Sequence, residues 1–191
     1  MNKIIASAFA LSLVACGSRP SNHFHVIISS EFSADEQIVI NDALDSWEIA
    51  LHGELTLERS VGSECDHFQN DMVNDPRQQL AKGVMYSDYV PREEHTVCII
   101  KDSGANVDMH CGGARTACTH RDYSNDSSVE HIDMSRVNNP LVLQQVVAHE
   151  TGHAWAIGHL QKGSLMYPHL IGAPVLVPTQ VDIDEWHNVR R

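Results

Sequence analysis

His149-Glu150-Thr151-Gly152-His153-Ala154-Trp155-Ala156-Ile157-Gly158-His159 is the stretch on which the reading of this chain turns. On a helix, residues i and i+4 project from one face, so His149 and His153 converge on a common point. Glu150 lies about 100° further round, within reach of a water held at that point without occupying the point itself. His159 follows six residues after His153, about 240° away on a continued helix. It joins the other two only if the helix stops and the chain turns back. Three neutral imidazoles with an open fourth position make a catalytic zinc site, not a closed structural one. With 13 histidines in 191 residues, H-E-x-x-H arises by chance in roughly 5% of such chains, and requiring His159 lowers this to roughly 0.3%. The pattern therefore predicts one Zn2+ held by His149, His153 and His159, with Glu150 as the base that activates a zinc-bound water.

Downstream lies Gly163-Ser164-Leu165-Met166-Tyr167-Pro168. With this second segment the chain resembles the metzincin clan of zinc endopeptidases, whose long histidine motif is followed by a methionine-containing turn beneath the metal. The Leu165-Met166-Tyr167-Pro168 run is most similar to the matrixin (matrix-metalloprotease-like) branch. The resemblance is specific from Val146 to Pro168 and extends over the rest of the chain only as an order of elements. It implies an α+β fold: a twisted mixed β-sheet with two long helices, an active-site cleft, and a small C-terminal subdomain ending in a helix. It also implies a zinc-dependent endopeptidase acting on protein or peptide substrates, with Met166 as a packing floor. Substrate would lie extended along a sheet edge expected within Gly112 to Thr119, and Leu170 to Val177 would either wall the pocket or pack into the core. Tyr167 follows Met166 directly and is assigned no catalytic role.

One position departs from the family. Where its pattern has glycine at the helix end, this chain has Ala156, with glycine two residues later at Gly158. Either the alanine is left-handed, at a cost of about 1–2 kcal/mol, or the break moves to Gly158. A rival third ligand would be a downstream carboxylate such as Glu185, as in the gluzincins. The departure also motivates the runner-up reading, a zinc-binding envelope lipoprotein with no protease activity that serves adhesion or scaffolding.

The N-terminus carries Lys3 and then an apolar run from Ile4 to Ala15, too short for a stable membrane span. Residues 1–15 read as a secretory signal. Leu13-Val14-Ala15-Cys16 resembles a bacterial lipobox, which implies a lipidated Cys16, a tether over residues 16–22 and a domain over residues 23–191. An ordinary signal peptide is the alternative. The lipobox reading places the protein in the cell envelope, attached to the membrane through its lipid, and Gly17 favours the outer over the inner membrane. Cys65, Cys98, Cys111 and Cys118 then form an even set, which in an exported chain reads as disulfides with three possible connectivities. The preferred one closes Cys111–Cys118 around Gly112 to Ala117 and leaves Cys65–Cys98 as the second bridge. A formal net charge of −12 argues against nucleic acid, which demands basic patches. A monomer is expected.

The roughly 175 residues after the lipobox make one domain with a sizeable core. His23 to Ser29 alternates as a strand. Ser33-Ala34-Asp35-Glu36 is a capping box. The apolar stripe Ile40, Ala43, Leu44, Trp47, Ala50 and Leu51 continues its helix to His52-Gly53. Strands are expected at Leu55 to Val61, Ala81 to Tyr89, Thr96 to Lys101 and Val129 to Met134, with a loop from Gly62 to Leu80. Asn139-Pro140 starts the histidine helix. Thr179 caps a last helix, with Asp182 reaching back. Asp102 to Asp108 offers oxygen ligands for a possible Ca2+ but lacks the EF-hand spacing. His67, His95, His110, His120, His131, His169 and His187 lack ligand spacing and read mostly as surface groups.

Overall fold

The computed structural model describes residues 22–66, 94–113, 115–123, 125–169 and 173–191. Their elements, in order, are β1 (His23–Ser29), α1 (Ala34–Ala50), β2 (Thr56–Gly62), β3 (Thr96–Asp102), α2 (Gly104–Cys111), β4 (Ala117–Asp122), β5 (Ser127–Asp133), α3 (Pro140–Ala154) and α4 (Gln180–Val189). The strands form one mixed sheet in the order β2-β1-β3-β5-β4. β1 runs parallel to β2 and β3, and β3 runs parallel to β5. Only β4, at the edge, is antiparallel to its neighbour. β3 and β5 are buried along nearly their whole length, as central strands covered on both faces must be.

Two helices cover one face. α1 begins at the expected capping box, with Glu36 N–H donating to the Ser33 hydroxyl and Ser33 N–H to the Glu36 carboxylate. Its predicted stripe points inward: Ile40, Ala43, Leu44 and Trp47 are buried together with Phe24, Val26 and Ile28 of β1. The indole N–H of Trp47 donates to the Ala148 carbonyl of α3 at 2.8 Å. Trp47 thus joins the two helices through a bond as well as through its apolar area, and no cofactor is needed to explain it. On the other face, Ile27, Ile100, Val129 and the Cys65–Cys98 bridge form a smaller cluster. A second bridge joins Cys111 to Cys118, between α2 and β4.

Three expectations are corrected. The segment proposed for calcium is the end of β3 followed by α2, a helix capped by the Ser103 side chain and closed by left-handed Gly112. Its Asp102 carboxylate already accepts from Ser103 N–H, the Asn106 amide and His131 Nδ1 at 2.7, 2.8 and 3.0 Å, so it is spent on protein partners. His131 is buried at 2% exposure beside that carboxylate, not solvated. The edge strand begins at Ala117 and runs to Asp122, so only the last part of Gly112 to Thr119 belongs to it. The strand expected at Ala81 to Tyr89, most of the loop from Gly62 to Leu80, and His67 lie outside the described residues, as do the signal, Cys16 and most of the tether.

Candidate metal centre

α3 starts where its sequence says: the Asn139 side chain accepts from Val142 N–H at 3.0 Å, and Pro140 occupies the first turn, where a missing N–H costs nothing. Leu143, Val146, Val147 and Ala148 are buried, which leaves His149 and His153 half-buried on the outer side. Gly152, between them, faces Met166. A Cβ there would lie 2.2 Å from Met166 Sδ and 3.1 Å from Trp47 Cζ2. With Met166 itself at 0% exposure, only glycine lets the methionine turn close against the helix. Asp182 of α4 fastens that turn, accepting from Leu165 N–H at 3.0 Å and Met166 N–H at 3.1 Å. The same carboxylate accepts from the Thr179 N–H and hydroxyl, each at 2.7 Å. The predicted cap therefore has a second task.

α3 ends at Ala154 with Trp155 as its cap, and the next residue, Ala156, has a φ of 72°. Ala156 N–H donates to His153 O and Ile157 N–H to Gly152 O, at 2.9 and 3.0 Å. These are the two bonds of a Schellman turn with its left-handed residue at Ala156. The first alternative for this position is the one observed. Chain reversal here brings His159 back over α3. His149, His153 and His159 offer ring nitrogens that all lie within 4.8 Å of one another. His149 Nδ1–H donates to Leu165 O and His153 Nδ1–H to Ile157 O, at 2.9 and 2.7 Å. These bonds fix the tautomers and turn both Nε2 lone pairs toward the shared point. The Nε2 atoms of His153 and His159 are 3.2 Å apart; tetrahedral zinc–imidazole bonds of about 2.0–2.1 Å require a spacing of about 3.3 Å. The donor set fits zinc.

All three imidazoles are shifted below the ordinary histidine value, which favours the unprotonated form that can bind a metal. Burial lowers His149 and His159, and with His149 alongside it pushes His153 down to about 4. Glu150 is buried next to the cluster, and its burial raises the carboxyl to about 7 against the opposing pull of Thr119 and Arg115. The Thr119 hydroxyl, on edge strand β4, lies 2.8 Å from Glu150 Oε2. The residues front a cleft of about 1070 Å³, whose walls also carry Arg115, Arg121, Tyr123, Tyr167 and His169. Glu185, the rival ligand, sits on α4 and accepts from the Asn188 side chain; it takes no part in the histidine group. Val175 packs on the core, and residues 173–177 do not line the cleft; residues 170–172 lie outside the described set.

Neither a protein-family model nor a curated protein matches this chain. Among solved structures it is similar to archaemetzincin from Methanopyrus kandleri, at 15% identity and a TM-score of 0.48, over 93% of this chain and 98% of that one. The likeness is a distant one. What the centre can do is carried by its own geometry.

Glu130 carries no motif that marks it in the sequence. It sits on β5 beneath α3 at 0% exposure, with the Thr151 hydroxyl 3.4 Å from Oε2 and no partner for Oε1. Burial and the neighbouring Glu150 carboxyl raise it well above the usual range. The only sequence signal was an acidic residue on the inward face of a buried strand.

Two predictions follow from this geometry. Ala156→Gly removes a left-handed penalty of about 1–2 kcal/mol at an entropic cost of about 0.5–1 kcal/mol. The net gain centres on about 0.75 kcal/mol, so thermal unfolding should shift upward by about 1.5–3 °C; a drop would contradict the turn. Glu130 keeps its proton in the folded protein at pH values where the unfolded chain has lost it. Wild-type stability therefore falls as pH rises above the ordinary glutamate value, whereas Glu130→Gln does not titrate. The melting-temperature gap in favour of Glu130→Gln should widen from about pH 5 to about pH 8, as measured by circular dichroism.

Proposed function

We propose that this protein is a zinc-dependent endopeptidase of metzincin type. The observation that carries the reading is the convergence of three neutral imidazoles beside a buried carboxyl and an edge strand. His149, His153 and His159 would hold the ion. Bound zinc would supply Lewis acidity, making a water nucleophilic near neutral pH and polarising a carbonyl.

The chain's own groups do the rest. A carboxyl raised to about 7 suits proton transfer in both directions near neutrality. Glu150 accepts the proton of the attacking water and returns it to the departing amine. Thr119 holds the Glu150 carboxylate in line through its hydroxyl. β4, the edge strand beside the cleft, offers backbone groups on which an extended peptide can add as a further strand. Met166, Gly152 and Trp47 hold the floor rigid, so the ligand geometry does not depend on the ion alone. The lipobox-like Leu13 to Cys16 supports placing the enzyme in the cell envelope, tethered through a lipid on Cys16, with outer-membrane sorting as the preferred destination. The Leu165 to Pro168 run supports a matrixin-like assignment within the clan.

Zinc-loaded protein should cleave an unfolded substrate such as casein. Glu150→Gln should lower kcat by a factor of about 10²–10⁴ while zinc stays bound. An unchanged rate would sink the assigned role of Glu150. Bound zinc with no turnover of any peptide would instead favour a non-enzymatic envelope module.

A further inference from the structure

The cleft holds two arginines in contrasting circumstances. Arg121 is ion-paired with Asp126 and lies over the Tyr123 ring. Arg115 is exposed just before the start of β4, and among the described residues no carboxylate lines the cleft apart from Glu150, which is already bonded to Thr119. Its positive charge is felt at Glu150, His153 and His159 alike. Among the described residues its guanidinium has no ion pair.

Its backbone, by contrast, is held on both sides. Arg115 N–H donates to the Asp108 carboxylate, and Arg136 donates to the Arg115 carbonyl. Arg136 is itself neutralised by Asp108 through two bonds and by Asp133 at 3.2 Å. Asp133 N–H donates to the next carbonyl, Thr116 O, at 2.9 Å. The Cys111–Cys118 bridge closes the loop at its base. A fully paired arginine thus fixes the main chain of an unpaired one, beside the metal centre of a protein whose net charge is −12. An arginine so held presents a planar fork that matches a carboxylate with two hydrogen bonds. It also gives the cleft a local field opposite in sign to that of the whole molecule.

We propose that Arg115 determines substrate specificity, selecting peptides that carry a carboxylate near the bond to be cleaved, on an acidic side chain or at the C-terminus. This rests on the peptidase reading above and names its substrate class. Arg115 binds substrate and takes no part in the proton transfers.

The test uses zinc-loaded full-length protein and matched peptides. One series, blocked at both ends, exchanges Glu for Gln at each position around the cleaved bond; a second compares a free C-terminus with its amide. Cleavage is read as kcat/KM in the wild type, and binding as Kd by fluorescence anisotropy in Glu150→Gln. A charged hydrogen-bonded pair predicts acid-over-neutral ratios of about 10–100 in both readouts. The first series showing the ratio assigns a side-chain carboxylate, and the second a terminal one. Arg115→Ala should bring the ratio toward one with zinc content retained, and Arg115→Glu should turn the preference toward lysine. Cleavage without acid preference, or a preference that survives Arg115→Ala, overturns the assignment and leaves the peptidase reading intact. If the wild type cleaves no peptide, the peptidase reading fails, and the binding ratio in Glu150→Gln still decides for or against Arg115.

Discussion

His153 and His159 meet because the chain reverses between them, and everything proposed for this protein depends on that reversal. The two hydrogen bonds that close the turn fall on the carbonyls of Gly152 and His153, so the helix end and the ligand helix are the same few residues. The left-handed φ at Ala156 is the cost of the turn, and burial of Ile157 at 1% exposure is part of what offsets it. A further bond, Leu160 N–H to Met166 O at 2.9 Å, joins the returning chain to the methionine turn. That turn reaches back to His149 through the Leu165 carbonyl. The three histidines are thus tied to one another through main-chain carbonyls and the turn that joins them.

The electrostatics of the centre follow from the same packing. Placing α3 between sheet and cleft removes water from its histidines, which keeps their lone pairs free of protons. It also buries two glutamates, Glu150 beside the cleft and Glu130 on β5 beneath the helix. Glu150 keeps access to the cleft and a hydroxyl partner. Glu130 does not line the cleft and has only the distant Thr151 hydroxyl as partner, so its carboxyl is raised well above the usual range, which relieves the like-charge repulsion between the two groups. Among the described residues the cleft wall carries two arginines, Arg115 and Arg121, and Glu150 as its one carboxylate.

What the sequence made legible is what is local. The i, i+4 pair of His149 and His153, the Asn139-Pro140 start, the capping box at Ser33 and the stripe around Trp47 are each set by residues a few positions apart. The structure places them as that reasoning expects. The sequence allows two positions for the turn because alanine rarely adopts positive φ, and only the tertiary bonds decide for Ala156. Asp102 and His131 looked like a calcium ligand and a surface histidine. Their partnership crosses 29 residues and two strands, which no local pattern reveals. The Ser103 cap and Gly112 stop of α2 were present, but the acidic composition of the segment drew attention to metal ligation instead. Glu130, Thr119 and the second task of Asp182 were hidden for the same reason as His131: each acts on a partner far along the chain.

A single zinc on three histidines is tested by anomalous diffraction at the zinc edge from crystals of the zinc-loaded protein. One strong peak is expected, bonded at about 2.0–2.1 Å to the Nε2 atoms of His149, His153 and His159. A peak elsewhere, or one in which the Glu185 carboxylate replaces His159, would contradict it.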